Sequence, residues 1–532
     1  MLQAILVGLI AVIGMFDDIL GLSMIGRPIV LGTLVGLVLG DVQQGILIGT
    51  TLELAFMGVM IIGIAQSINV IVGGVLGTAF AIITNSGAEV ALALAVPAGI
   101  LYNVLKSGAY LLKQIWVRKV DAAAENGDYK AIERSHYQLF ALICVFIFTT
   151  VFATVYAGAP AIQALVNAIP ASVMTGLSAG TKLLPALGFA MLLNMIWSKE
   201  IGAFYFLGFL LASFMNLPTV GVAIIGGVAA AIAYYFVNQN TEAFSLANPD
   251  NKSGSGDIEM NSEGRRLLTK KDLLKVFFRS MTLEASFTYE RFQGIGYAYS
   301  MIPVLKKLYP EKERLVPALK RHIEFFNTTP HVVTSVMGIS ASMEEEYAMN
   351  PDGFEPRSIN AIKVGLMGPL AGIGDSLFWG TFRVIAAGIG CQLGLQGSPL
   401  APFAFLIAFN VPHLLVRYYG MMKSYEFGKK FINKISESNL MDKISLSAGI
   451  LGLTVIGSMT ASMVELSTPL VIKFGEIEPI AVQELLDSIL PGLLPLCATW
   501  IVAILLKKQV KVLPLMYGLL LVGVIGTLIG VL

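Results

Sequence analysis

The stretch GILIGTTLELAFMGVMIIGIA, Gly45 to Ala65, decides the class of this chain. It is apolar enough to lie in a bilayer, yet it carries Glu53. Apart from Glu53, Asp41 is the only formal charge between Arg27 and Glu89. A carboxylate in hydrocarbon surroundings is expensive, so it is a functional-site candidate by default. The structural alternative is a glutamate at a helix end, reaching water or a backbone amide. Gly45 and Gly49 before it, and Thr50 and Thr51 beside it, predict a break in a membrane helix. Broken helices at mid-membrane depth are where transporters bind polar cargo.

Composition extends that reading to the whole chain. Of 532 residues, 55% are hydrophobic and 13% charged, with a mean hydropathy of +0.75. Soluble domains carry about 25% charged residues. The chain is therefore an all-α polytopic membrane protein, with apolar content for on the order of a dozen spans of about 20 residues. A net charge of +1 points away from nucleic acid. Cys144, Cys391 and Cys497 are far apart and follow no metal or disulfide spacing. The first fourteen residues lack a basic start and a small-residue cleavage site, so they read as structure rather than a signal peptide.

Polarity divides the chain. Apolar runs fill residues 1–237, interrupted by the charged loop Arg118 to Ser135. Residues 238–271 are polar and rich in Asn, Ser and Gly, with too few apolar side chains for a core, which predicts a flexible linker. Residues 272–532 form a second membrane half. It opens with the amphipathic, charged stretch Asp272 to Met349, expected as helices at or outside the cytoplasmic interface. The halves share one echo: Pro185 to Gly208 and Pro495 to Gly518 have equal spacing in similar apolar context. Convergent membrane composition accounts for a single echo as well as an internal repeat does.

Apolar context makes certain polar residues conspicuous. In the first half these are Asp17, Asp18, Arg27, Asp41, Glu53, Gln66 and Asn69. Arg27 can cap a helix, pair with Asp17 or Asp18, or sit at the headgroups; Asp41 reads as a span end. In the second half the set is Glu290, Arg291, Gln293, Asn327, Thr328, His331 and Asp375. Asp375 lies in GLMGPLAGIGDSLFWGT, Gly365 to Thr381, whose five glycines and proline argue against a regular helix. Such a loop can approach a ligand closely or permit tight helix packing. Carboxylates and amides suit a neutral polyol, because they exchange hydrogen bonds with adjacent hydroxyls without needing a counter-charge. The substrate-binding candidates are therefore Asp17, Glu53, Gln66, Asn69, Asn327, Thr328 and Asp375. A second tier holds Arg27, Thr51, Glu290, Gln293 and His331. No phosphate-cradling motif, metal spacing or nucleophile–base constellation is present, so neither a cofactor nor catalysis is expected.

These motifs carry a resemblance. Arg27-Pro28 followed by GTLVGLVLGDVQQGILIGTTLEL, Gly32 to Leu54, resembles the IIC membrane subunit of mannose-type (mannose–fructose–sorbose) sugar phosphotransferase systems. ASFTYERFQGIGYAYSMIP (Ala285 to Pro303), RHIEFFNTTPHV (Arg321 to Val332), Lys363 to Thr381, RYYG (Arg417 to Gly420) and LPGLLPL (Leu490 to Leu496) resemble the IID subunit. The resemblance implies a sugar carrier of the bacterial inner membrane and not an enzyme. In such systems cytoplasmic IIA and IIB proteins relay phosphate from phosphoenolpyruvate, and IIB phosphorylates the arriving sugar. It further implies trimers of IIC–IID pairs in contact with lipid, moving sugar by an elevator-like shift.

Two departures stand out. IIC and IID are ordinarily separate chains, and Gly26 stands where many mannose-preferring members have His. Gln66 to Asn69 (QSIN) and ASFTYERFQ look closer to members handling N-acetylated hexosamines, such as N-acetylgalactosamine. Gly26 would then make room for the bulkier substituent. The alternative function is an ion-coupled secondary transporter or channel using Glu53 and Asp375.

Overall fold

The computed structural model describes residues 1–59, 68–167, 170–247, 266–352, 354–428, 440–472, 480–510 and 512–532. The first half contains α1 (Leu2–Met15), α2 (Pro28–Leu39), α3 (Val42–Ala55), α4 (Val70–Ile83), α5 (Ala88–Glu125), α6 (Tyr129–Asn167), α7 (Ala171–Ile196), α8 (Ala203–Met215) and α9 (Thr219–Ala247). The second contains α10 (Lys270–Ser280), α11 (Gly294–Leu308), α12 (Lys312–Ile323), α13 (Val333–Met349), α14 (Arg357–Gly374), α15 (Arg383–Leu395), α16 (Ala401–Phe427) and α17 (Leu440–Met463). It ends with α18 (Val482–Ile489), α19 (Leu493–Lys507) and α20 (Val512–Leu528). A short antiparallel ladder pairs Val471–Ile472 with Ile480–Ala481. The linker expectation for residues 238–271 meets ordered helix at both ends, since α9 runs on to Ala247 and α10 begins at Lys270. Residues 248–265 lie outside the described residues.

Short helices dominate the region around Glu53. Arg27 is extended, Pro28 opens α2 with its ring-fixed φ, and Gly40 at φ +90° closes it. Asp41 caps α3 by accepting from the Gln44 amide at 2.9 Å. Asn69 caps α4 by accepting from Val72 at 2.9 Å. Helices of 12–14 residues span only about 20 Å, less than the roughly 30 Å of hydrocarbon. Accordingly, among the described residues five helices are by themselves long and apolar enough to cross a membrane, and the bent pair α18–α19, turned by 78°, makes a sixth.

The helix of the Gly45 to Ala65 stretch does end within it, two residues past Glu53, but not at Gly45 or Gly49. α3 runs unbroken through both and ends at Ala55. The glycines serve packing instead. A Cβ on Gly45 would stand 2.5 Å from the Gly32 carbonyl oxygen, and one on Gly49 2.6 Å from that of Pro28. Absent side chains let α2 and α3 touch along their backbones. Likewise Gly365 to Thr381 is helical: α14 passes directly into a π-helical segment, Asp375–Phe382, and then α15. Of the stretch expected at the interface, α10 and α12 are amphipathic, whereas α11 and α13 are mostly buried.

The halves interlock. Long α5 and α6 receive α11 and α12 of the second half. Arg279 pairs with Glu133 at 2.6 Å, Arg291 with Asp121 at 3.1 Å, and the Tyr137 and Tyr299 hydroxyls meet at 2.6 Å. Buried His136 bonds Ser286 and Thr282 and stacks on Tyr299 at 4.1 Å. The sequence echo falls on facing elements, with α7 packed against both α19 and α20 and Trp197 against Trp500 at 5.2 Å.

Candidate functional site

A cavity of about 470 Å³ opens between the halves. Its first-half wall starts at the 3-10 turn Phe16–Ile19 and the loop that follows. Within that loop Leu22 and Met24 hold φ of +61° and +68°, a strained conformation for bulky side chains. Asp17 stabilises it: its Oδ1 accepts from Ser23 Oγ at 3.3 Å and from the Ile25 amide at 3.2 Å. The second half grips the same loop. The Gly21 amide donates to the Met281 carbonyl at 2.8 Å, Asn410 to that of Ser23 at 2.8 Å, and His331 Nε2 to that of Leu22 at 3.3 Å. The starts of α2 and α4 (Arg27, Val70, Ile71) and one face of α5 (Asn103, Lys106, Tyr110) complete this wall.

The opposite wall comes from Glu284, Phe287, Tyr289, Gln293, the segment Asn327 to Pro330, and Ala371, Asp375 and Trp379. Gln293 organises it. Its Oε1 accepts from the Thr328 amide at 2.9 Å, while its Nε2 donates to the Thr328 carbonyl at 2.8 Å and to Glu284 Oε1 at 2.7 Å. Arg417 of the RYYG motif donates to the Pro330 carbonyl at 2.7 Å and to Ser280. Asp375 opens the π-helical segment, and its Oδ1 accepts from Thr329 Oγ1 at 2.6 Å. Gly374 permits that approach, because a Cβ there would collide with Thr329. π-Helical turns recur at functional sites, since they re-aim side chains within a helix.

The sequence-derived candidates divide accordingly. Asp17, Asn327, Thr328 and Asp375 line the cavity together, with Arg27 and Gln293 of the second tier. Glu53 does not. It is fully buried and ion-paired with Arg27, whose Nη2 and Nε lie 2.7 and 2.9 Å from Oε1. Arg27 also donates to the Phe56 carbonyl at 3.2 Å, so Glu53 sits one layer behind the wall and holds a residue that is part of it. Asn69 is occupied as the cap of α4 and Thr51 bonds its own helix at Leu47. His331 is buried against Phe378, with ring centroids 4.3 Å apart, and Glu290 is exposed. Gln66 lies outside the described residues.

Sequence reasoning passed over Asn103, Lys106 and Glu284. Lys106 was findable by the rule applied to Glu53, being a charge in an apolar run. Glu284 had no such signal, because its surroundings are polar in sequence.

The fold and cavity define the class: an integral, multi-pass membrane protein with a chamber of mixed polarity between two halves. Residues 1–232 match the family model for the sorbose-specific IIC component of the phosphotransferase system, and residues 267–532 that for the mannose/fructose/sorbose family IID component. The chain belongs to the mannose/fructose/sorbose family of phosphotransferase-system permeases, with IIC and IID in one polypeptide, and is a protein of the bacterial inner membrane. Among relatives, the sorbose-specific EIID component of Klebsiella pneumoniae is 41% identical over 50% of this chain and 98% of its own length. The mannose-specific EIIC component of Escherichia coli K12 is 32% identical over 48% of this chain and 97% of its own. A solved membrane-protein structure at 38% identity covers 50% of this chain and 99% of its own, with a TM-score of 0.47.

Proposed function

We propose that the cavity binds a single hexose, N-acetylgalactosamine in preference to mannose, and carries it inward for phosphorylation by a cytoplasmic IIB protein. One observation carries the reading. Among the described residues, the side-chain amide of Asn327 has no protein partner, and Asp375 engages only Oδ1, so hydrogen-bonding capacity on the cavity wall is left for hydroxyls. Asp17, Asn327, Thr328 and Asp375 contact the sugar, and Arg27 and Gln293 hold the wall. Gly26 supports the acetylated sugar only by lining the cavity without a side chain of its own.

In this reading residues 1–237 and 272–532 act as IIC and IID units joined by the intervening stretch. The assembly is a homotrimer served by IIA and IIB proteins. An ion-coupled mechanism gains little support, since Glu53 is neutralised by Arg27 away from the cavity. The test is calorimetric titration of the purified chain with N-acetylgalactosamine, mannose and fructose. Asp375→Asn and Asn327→Ala are each expected to weaken the bound sugar on the order of tenfold, about one hydrogen bond to a charged or buried group. Mannose binding more tightly than N-acetylgalactosamine would overturn the sugar assignment, and unchanged affinity in both variants would overturn the site.

A further inference from the structure

We propose that the outer face of α10, beside the end of α16, binds the headgroup of an anionic phospholipid. The inner face of α10 is committed: Asp272, Leu273, Val276 and Phe277 are buried. The outer face presents Leu274, half-buried, and Phe278, 66% exposed, with Lys270, Lys271 and Lys275 exposed around them. At about 100° per residue, Leu274 and Phe278 fall on one stripe, with Lys271 and Lys275 along one edge and Lys270 along the other. An apolar stripe between lysines is the pattern of a helix lying in the membrane interface, its lysine stems reaching outward to the headgroups.

Position supports the same occupant. Phe277 packs edge-on against Tyr418 with ring centroids 6.1 Å apart, and Lys270 Nζ sits 6.0 Å from the same ring. Tyr418 belongs to α16, a helix long and apolar enough to span the membrane. Its Ile407, Leu414 and Leu415 are exposed as a lipid-facing surface, and Tyr419 is exposed beside Tyr418. Adjacent tyrosines near the end of a spanning helix mark the headgroup level. α10 is therefore held at that level.

Charge selects among lipids. Asp272, the carboxylate on α10, faces inward, where Lys307 approaches at 2.6 Å and Lys275 at 3.4 Å. Among the described residues no carboxylate pairs with Lys270 or Lys271. The outer face thus keeps a positive balance, with Lys270 and Lys271 unpaired by any described carboxylate and Lys275 sharing Asp272 with Lys307, which a phosphate of net negative charge complements and a zwitterionic headgroup does not. Each surface lysine near an anionic leaflet contributes measurably to such binding.

The test uses the full chain, reconstituted in mixed phosphatidylglycerol and phosphatidylcholine and then analysed by native mass spectrometry for retained lipid. The wild type is expected to retain phosphatidylglycerol preferentially. The combined variant Lys270→Gln, Lys271→Gln, Lys275→Gln should lose on the order of tenfold of that preference. An unchanged preference overturns the proposal. A second readout is independent of retention. Fluorescence from Phe278→Trp, after subtraction of the parent, should be quenched by brominated phosphatidylglycerol more than by brominated phosphatidylcholine. Equal quenching overturns the headgroup selectivity, and absence of quenching means that protein, a second copy of this chain included, covers the face.

Discussion

At the scale of residues, Glu53 and Arg27 are the clearest case of a costly group with a stabilising role. Both are removed from water, and each neutralises the other at 2.7 Å. Breaking one side of a buried pair leaves an uncompensated charge and costs about 3–5 kcal/mol. Glu53→Gln should therefore lower the thermal stability of the purified protein sharply. The double variant Glu53→Gln, Arg27→Gln should recover much of that loss, and a denaturation series on the two checks it. Gln293 is a second lever. Gln293→Glu sets a carboxylate against Glu284 and removes the donor to the Thr328 carbonyl, so sugar affinity should fall on the order of tenfold, read by titration.

Outside the cavity, Glu344 accepts from Arg321 at 2.6 and 2.9 Å, from His322 at 2.8 Å and from Tyr309 at 2.6 Å. Burial pushes its carboxyl up, but these partners prevail and hold it at about 2. Burial, with Lys363 and Arg321 nearby, lowers His322 to about 4 despite Glu344. Between its unfolded value of 6.5 and about 4 the unfolded chain binds a proton on His322 that the folded chain does not, so stability falls as pH drops through that window. The Glu344 contribution has the same sign and is lost below it, as pH falls toward about 2. Melting temperatures from pH 7 to 4 should decline, and His322→Gln should flatten part of the decline.

At the scale of elements, the glycine positions were legible in the sequence but their purpose was not. Gly45 and Gly49 suggested a broken helix, because glycine weakens helices. Only the approach of α2 reveals that they form a seam, and the chain leaves helical geometry after Ala55 instead. Gly49→Val should push α2 away through the Pro28 carbonyl, destabilise by about 1–3 kcal/mol as overpacking does, and loosen the Arg27–Glu53 pair. Comparison with Gly108→Ala, where a Cβ meets nothing within 4 Å, controls for helix propensity. The Gly365 to Thr381 stretch repeats the lesson. Its path is continuously helical through the π-helical segment, and of its glycines Gly374 allows the close approach to Thr329, whereas a Cβ on Gly365 or Gly372 would meet nothing within 4 Å.

At the scale of the whole molecule, the halves are joined by more than chain connectivity. Ion pairs, stacked rings and the captured loop Gly21 to Ser23 cross between them. Single exposed pairs contribute only about 0–1 kcal/mol, so the buried contacts dominate the union. Inserting a protease site within residues 248–265 and cleaving it should leave both fragments co-eluting, with sugar uptake retained. Separation of the fragments on gel filtration would count against that.

The amino-acid sequence by itself determined the membrane class, the two-part organisation and the family, because hydropathy and long local motifs are properties of the chain read in order. It also nominated Asp17, Asn327, Thr328 and Asp375, whose polarity contrasts with their neighbours. Only the tertiary structure decided that these residues meet, that Glu53 stands behind Arg27, and that Asn69 is spent on a helix cap. Convergence depends on contacts between residues hundreds of positions apart, and a buried ion pair has the same sequence signature as a ligand-binding carboxylate until its partner is found.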